Sequence, residues 1–177
     1  MLSSSIALIA EELNTALESL QQKDVEKAAQ SILSHERVFV GAAGRSGLML
    51  KAFAMRLMQM GKTVYVIGET VTPAVREGDL VFLASASGAT HSVLSYAETA
   101  KKIGADLFVV TAFEETPICL IHHADVILPC GSKDWDAGSK QMMGTLFEQT
   151  LLIFCDAVVG VLPVDPEIMR QRHANLE

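Results

Sequence analysis

Five short, nearly unbroken apolar runs recur along this chain, and they restrict its fold more than any other feature. They are Arg37–Gly41 (RVFVG), Thr63–Ile67 (TVYVI), Leu80–Ala84 (LVFLA), Leu107–Thr111 (LFVVT) and Asp125–Leu128 (DVIL). A strand wet on one face alternates apolar and polar residues, whereas a parallel strand covered on both faces reads as a continuous apolar run. Longer segments with helical spacing lie between most of the runs: Leu48–Met60, His91–Ile103 and Pro117–His122. Two more, Ser4–Leu20 and Asp24–Ser34, precede the first run, and Thr145–Leu162 follows the last. This alternation predicts an α/β, three-layer sandwich with a five-stranded parallel sheet and right-handed crossovers. A length of 177 residues suits one domain, residues 1–177, with N-terminal helices in 1–35 and a tail helix in 163–177.

Local punctuation sharpens the boundaries. Gly61 follows Met60 and is placed to supply a left-handed helix end. Asp24 is placed to cap the second helix. Asp165-Pro166-Glu167 combines an N-cap, a proline at the first helical position and an acid in the first turn, so a short terminal helix is expected there. The segment Pro129–Met142, which carries the sole tryptophan, is long enough to be a functional lid.

Composition removes several classes of function. Half of the residues are hydrophobic and 20% are charged, which excludes disorder for most of the chain. The net charge is −7 and no block of Lys or Arg provides a nucleic-acid-binding face. A small anion is still accessible, because a helix N-terminus and one arginine bind phosphate locally. Cys119, Cys130 and Cys155 are widely spaced and odd in number, which points to buried free thiols in a reducing compartment. The opening MLSSSIALIAEELNTAL has no basic start and meets Glu11 and Glu12 too early for a signal peptide. Leu151–Val164 is interrupted by Asp156 and falls short of a membrane span of about 20 residues. A soluble, cytoplasmic protein is expected.

Ligands of open parallel sheets bind beyond the carboxyl ends of the strands. The first strand runs into Gly41-Ala42-Ala43-Gly44-Arg45-Ser46-Gly47. This is neither a dinucleotide fingerprint nor a Walker A loop. It serves either as a tight turn with a helix cap at Ser46 or as a close approach of backbone to a ligand, with Arg45 free to meet an anion. The third strand runs into Ala84-Ser85-Ala86-Ser87-Gly88-Ala89-Thr90, where Ser85, Ser87 and Thr90 gather at a helix start. Hydroxyls and backbone N–H groups at such a point make a neutral phosphate cradle. The helix from Thr145 is apolar nearly all round, and Glu148 lies one turn inside it. A carboxylate there is either a first-turn residue complementing the helix dipole or a general base. Asp156 lies about 12 Å further along the axis, too far to form a carboxylate pair with Glu148. His91 could touch a ligand at the serine loop, and no two histidines have a metal-binding spacing.

The motifs GAAGRSG, SASGAT and MGTLFEQT together resemble the sugar isomerase (SIS) fold. Within it, GRSG with FAMRLMQMG, then MGTLFEQTLLIFCDAV and the terminal RHANLE, look like the 6-phospho-3-hexuloisomerase family. The likeness runs from the first helices to the last residue. It departs at the serine loop, where Ala86 stands at a position the family often fills with glycine. The resemblance implies a flavodoxin-like sandwich and interconversion of 6-phospho-3-hexulose with fructose 6-phosphate, a step of formaldehyde fixation by the ribulose monophosphate route. It also implies a homo-oligomer, commonly a tetramer, with sites shared between subunits, and no metal or organic cofactor. On that reading Glu148 carries a proton between two carbons through a cis-enediol, and His173, from its own or a neighbouring chain, moves one between the oxygens. Gly44, Arg45, Ser46, Ser85, Ser87 and Thr90 would bind the sugar phosphate, and the tail helix would contribute to the site. The same cradle and base would serve another SIS aldose–ketose isomerase. A sugar-phosphate sensor would need the cradle without the base.

Overall fold

The computed structural model describes residues 4–131 and 139–176. Five strands form one parallel sheet: β1 (Arg37–Gly41), β2 (Thr63–Val66), β3 (Leu80–Ala84), β4 (Asp106–Thr111) and β5 (Val126–Ile127), in the order β2-β1-β3-β4-β5. The register pairs Val38 with both Val64 and Leu80, and Phe82 with Phe108. The strand β3 therefore occupies the middle of the sheet, and all five of its residues are buried.

The helices are α1 (Ser5–Glu18), α2 (Gln22–Ser34), α3 (Gly44–Gln59), α4 (His91–Ile103), α5 (Thr145–Val161) and α6 (Pro166–Gln171). Alternate strand residues enter two cores. Val38, Val40, Phe82, Phe108 and Val110 pack with α1, α2, α3 and α5 on one face. Phe39, Val81, Leu83 and Val109 pack with α4 on the other. This is the three-layer α/β sandwich expected from the apolar runs. The uniform apolarity of α5 has a tertiary cause, since α1, α2 and α3 all pack against it. Met142–Val161 has the length and apolar composition of a membrane span, but Leu146, Phe147, Leu151, Phe154, Cys155 and Val158 of that segment lie in the core.

Several boundaries differ from the sequence reading. The helix α3 begins at Gly44, a turn before Leu48, with Ala43 as its N-cap. Ser46 is thus inside the first turn and does not cap it. Asp24 likewise lies in the first turn of α2, whose N-cap is Gln21. Pro117–Leu120 forms a 3-10 turn in place of the expected helix through His122. The end of α3 is as expected. Gly61 has φ +100°, its N–H bonds Met58 O at 2.9 Å, and Lys62 N–H bonds Leu57 O at 3.0 Å. That is a Schellman closure, which needs a residue at ease with positive φ. Asp165 caps α6 through Glu167 N–H at 2.8 Å. The cysteines are free, with Cys130 and Cys155 buried and Cys119 half-buried. Of the expected lid Pro129–Met142, residues 132–138, including the tryptophan, lie outside the described residues.

Candidate active site

Three first turns meet at the carboxyl edge of the sheet. They enclose a cleft of about 110 Å³ lined by Ala43 and Ser46, by Ser85, Ala86, Ser87 and Thr90, and by Met143, Gly144, Phe147 and Glu148. The strands β1 and β3 are neighbours, so the loops leaving their carboxyl ends must lie side by side. The start of α5 completes the wall. The N-terminal ends of α3, α4 and α5 thereby converge, and each carries unpaired N–H groups and a positive dipole end. Such a place suits an anion.

The serine loop is held from several directions. Ser85 N–H bonds Val110 O at 3.0 Å, and Gly88 N–H bonds Ser85 O at 3.1 Å. Ile118 N–H bonds Gly88 O at 2.9 Å, which ties the loop to the 3-10 turn after β4. The Ser85 and Thr90 hydroxyls lie 3.0 Å apart, and Ser87 Oγ accepts from Ala89 N–H at 3.3 Å. Thr90 is the N-cap of α4 but makes no side-chain cap bond, so its hydroxyl is directed elsewhere. Gly88 has φ +59°, and a Cβ there would overlap Thr116 Oγ1 and lie 2.5 Å from Thr116 Cβ. The loop conformation therefore depends on Gly88, and alanine at position 86 is accommodated with the hydroxyls in place.

Glu148 lies in the first turn of α5 with 13% of its side chain exposed, and Arg45 Nη1 donates to its Oε2 at 2.7 Å. The sequence separates these residues by 103 positions. The cleft thus contains hydroxyls and a carboxylate, and Arg45, outside its lining, meets it through Glu148. Gly44 stands just outside the lining with φ +58° and open space where a Cβ would be, so its requirement is conformational. Among the described residues, no group of three or more His, Cys, Asp or Glu side chains could hold a metal ion.

His173 is not brought to this cleft within one chain. Arg172 Nη1 lies 3.5 Å from Met58 O and against Gly61, at the far end of α3 from Arg45. The 16 residues of α3 span about 24 Å, so the tail is anchored at the opposite end of that helix from the Arg45–Glu148 pair. His91 opens α4 and is exposed.

The motif MGTLFEQT begins at Met143 and Gly144, but neither was given a place in the site. Met143 has φ +61°, the one positive φ at a non-glycine residue among those described. A left-handed methionine in a cleft wall is local strain held by its surroundings. The MMG preceding the helix of Glu148 was its available signal.

The SIS domain family matches residues 31–152 of this chain. A Mycobacterium gastri protein named 3-hexulose-6-phosphate isomerase is 41% identical, over 99% of this chain and 92% of that protein. A Bacillus subtilis protein of the same name is 42% identical, over 97% of each. A Methanococcus jannaschii protein, whose crystal structure was used to infer the same function, superposes with a TM-score of 0.81 at 28% identity, covering 99% of this chain and 100% of the other. With a family match across most of the chain and near-full-length relatives, the chain belongs to the SIS domain family and, within it, to the group named 3-hexulose-6-phosphate isomerase.

Proposed function

We propose that this chain is a 3-hexulose-6-phosphate isomerase, interconverting 6-phospho-3-hexulose and fructose 6-phosphate through a cis-enediol. The observation that carries this reading is the meeting of a hydroxyl-lined phosphate cradle with one carboxylate in a single cleft, in a chain whose near-full-length relatives bear that name. The phosphate binds at the N-terminal end of α4 to Ser87, Thr90 and backbone N–H groups, with Ser46 and Ser85 on the neighbouring oxygens. The substrate reacts in its open-chain form, because the phosphorylated 6-oxygen cannot close a ring onto the 3-carbonyl. Glu148 removes the proton from C2 and returns it to C3. Arg45, paired with Glu148 in the free chain, turns toward the enediolate oxygens as negative charge develops there.

The acting form is a homo-oligomer, a tetramer by family resemblance, in which a neighbouring chain supplies His173 for proton transfer between the two oxygens. Two features support this. The cleft of about 110 Å³ is smaller than the ~300–1,000 Å³ typical of sites enclosing a ligand of this size, so one chain covers the sugar incompletely. Exposed apolar side chains are also available for a partner: Ile6 and Ile9 on α1, and Leu48, Met55 and Met58 on α3. In the N-terminal segment Leu13 and Leu20 pack inward, leaving Ile6 and Ile9 outside. Free thiols suit a cytoplasmic setting.

The direct test supplies enzymatically generated 3-hexulose 6-phosphate and follows fructose 6-phosphate formation. Arabinose 5-phosphate and heptose phosphates serve as competing substrates. Preferred turnover of an aldose phosphate would replace this reading with another SIS isomerase.

A further inference from the structure

The wall of the cleft is attached to a helix that the reaction does not use. Glu12, on α1, is half-buried and aimed at the segment leading into α5. Ser139 Oγ donates to its Oε2 at 2.7 Å, Lys140 N–H to its Oε1 at 2.7 Å, and Gln141 Nε2 to its Oε2 at 3.1 Å. Ser139 Oγ also accepts from Gln141 N–H at 3.1 Å, which folds the three residues around one carboxylate. The Gln141 side-chain oxygen is buried with no partner among the described residues, so Glu12 holds that side chain by its amide nitrogen. The Lys140 N–H keeps the Glu12 carboxyl below its ordinary range against desolvation, and Ser139 and Gln141 add to the lowering. Ala16, one turn further along the same face of α1, and the adjacent Leu13 pack into the core, so the carboxylate projects from a fixed support.

From Gln141 the chain passes through Met143 in its left-handed conformation to Gly144, then to Thr145, whose hydroxyl donates to Met142 O at 2.6 Å. Glu148 follows in the first turn of α5. A non-glycine residue at positive φ keeps that conformation only where its surroundings over-determine it. The tight turn Met142–Thr145, with Met143 and Gly144 both left-handed and one closing bond from Thr145 N–H to Met142 O, provides little of that restraint by itself. We infer that Glu12 is a positioning residue: its carboxylate clamps Ser139–Gln141, holds the Met143–Gly144 wall in place and so presents Glu148 to the substrate. The inference rests on the isomerase reading for its activity arm alone. The N-terminal helix is on this account part of the site's support as well as a cover for α5.

The experiment compares wild type, Glu12→Ala and Glu12→Gln by amide hydrogen exchange and by kcat and KM on 3-hexulose 6-phosphate. Exchange in residues 141–148 is expected to rise about tenfold or more in Glu12→Ala, with residues 85–94 unchanged as internal reference. The kcat is expected to fall about tenfold or more with KM within about threefold, because the phosphate cradle lies on other elements. Glu12→Gln keeps an acceptor for Lys140 N–H and should fall between the two. Adding Ser139→Ala should cost little further in the Glu12→Ala background, since both act through one clamp. If Glu12→Ala does not fold, Glu12→Gln carries the same readouts. Unchanged exchange in 141–148, or increased exchange with kcat intact, overturns the inference. A wild-type chain that does not turn over the hexulose phosphate defeats the isomerase reading instead, and the exchange comparison then decides the clamp alone.

Discussion

Gly88→Ala tests whether the serine loop has the single conformation on which phosphate binding depends. Two costs arise. At φ +59° an L-residue is strained by about 1–2 kcal/mol. The new methyl would also overlap Thr116 Oγ1, with Thr116 Cβ at 2.5 Å and Ile118 Cγ2 at 3.1 Å. Thr116 and Ile118 are buried and Ile118 N–H is bonded to Gly88 O, so neither side can withdraw freely. Overpacking of this kind costs about 1–3 kcal/mol. Gly104→Ala is the control. It shares the left-handed backbone at φ +84°, but its nearest neighbour, Glu77 Cγ, is at an ordinary 3.5 Å. Lost chain entropy in the unfolded state is the same for both variants and cancels in the comparison. The difference between them is therefore the packing cost, about 1–3 kcal/mol, or roughly 3–10 °C in Tm for a chain of this size. Calorimetry measures that difference, and titration with fructose 6-phosphate measures the cradle. Relief of the overlap must move Ser87 or Thr90, so affinity should drop about tenfold or more in Gly88→Ala and remain unchanged in Gly104→Ala. Equal melting temperatures, or full affinity in Gly88→Ala, would show that the loop adapts and that the argument from its geometry is wrong.

Ser87→Ala and Thr90→Ala remove donors to a phosphate present in ground and transition states alike, so KM should rise with kcat nearly unchanged; a fall in kcat alone would move these hydroxyls into the chemistry. Glu148→Gln should lower kcat by about 10²–10⁴ with fructose 6-phosphate affinity kept within a few-fold, and near-normal turnover would remove Glu148 from the mechanism. Mixing inactive Glu148→Gln and His173→Ala chains should restore part of the activity by forming hybrid sites, because His173 lies far from its own Glu148; no recovery after subunit exchange would refute a shared site. Asp79 is held below the ordinary carboxylate range by its hydrogen bonds from Arg37, which join the starts of β1 and β3. A depressed folded-state value means that this contribution is complete above about pH 4 and is lost as the pH falls below it, so the urea-midpoint gap between wild type and Asp79→Asn should narrow on acidification. A gap independent of pH would contradict that linkage.

The layers of this fold were legible because burial on both faces of a strand leaves a local trace, an unbroken apolar run such as LVFLA. His91–Ile103 was legible to its ends from its helical spacing, and Gly104 closes it in the left-handed conformation. The serine loop and Glu148 could be singled out for the same kind of reason: small hydroxyl residues at a strand end and a charge on an apolar helix stand out within a few residues of sequence. Local pattern also has a limited reach. It placed the start of α3 at Leu48, because glycines and a serine weaken a helical period, whereas the helix runs back to Gly44 with Ala43 as its N-cap. Pairing order left no local trace, and only the assembled sheet sets β3 beside β1 and brings the GRSG and serine loops together. The Arg45–Glu148 pair, the attachment of Ser139 to Glu12 across 127 positions and the removal of His173 to the far end of α3 have the same origin. Residue identity determines what a side chain can do, and contacts between segments more than a hundred residues apart, set by sheet order and helix packing, determine what it meets.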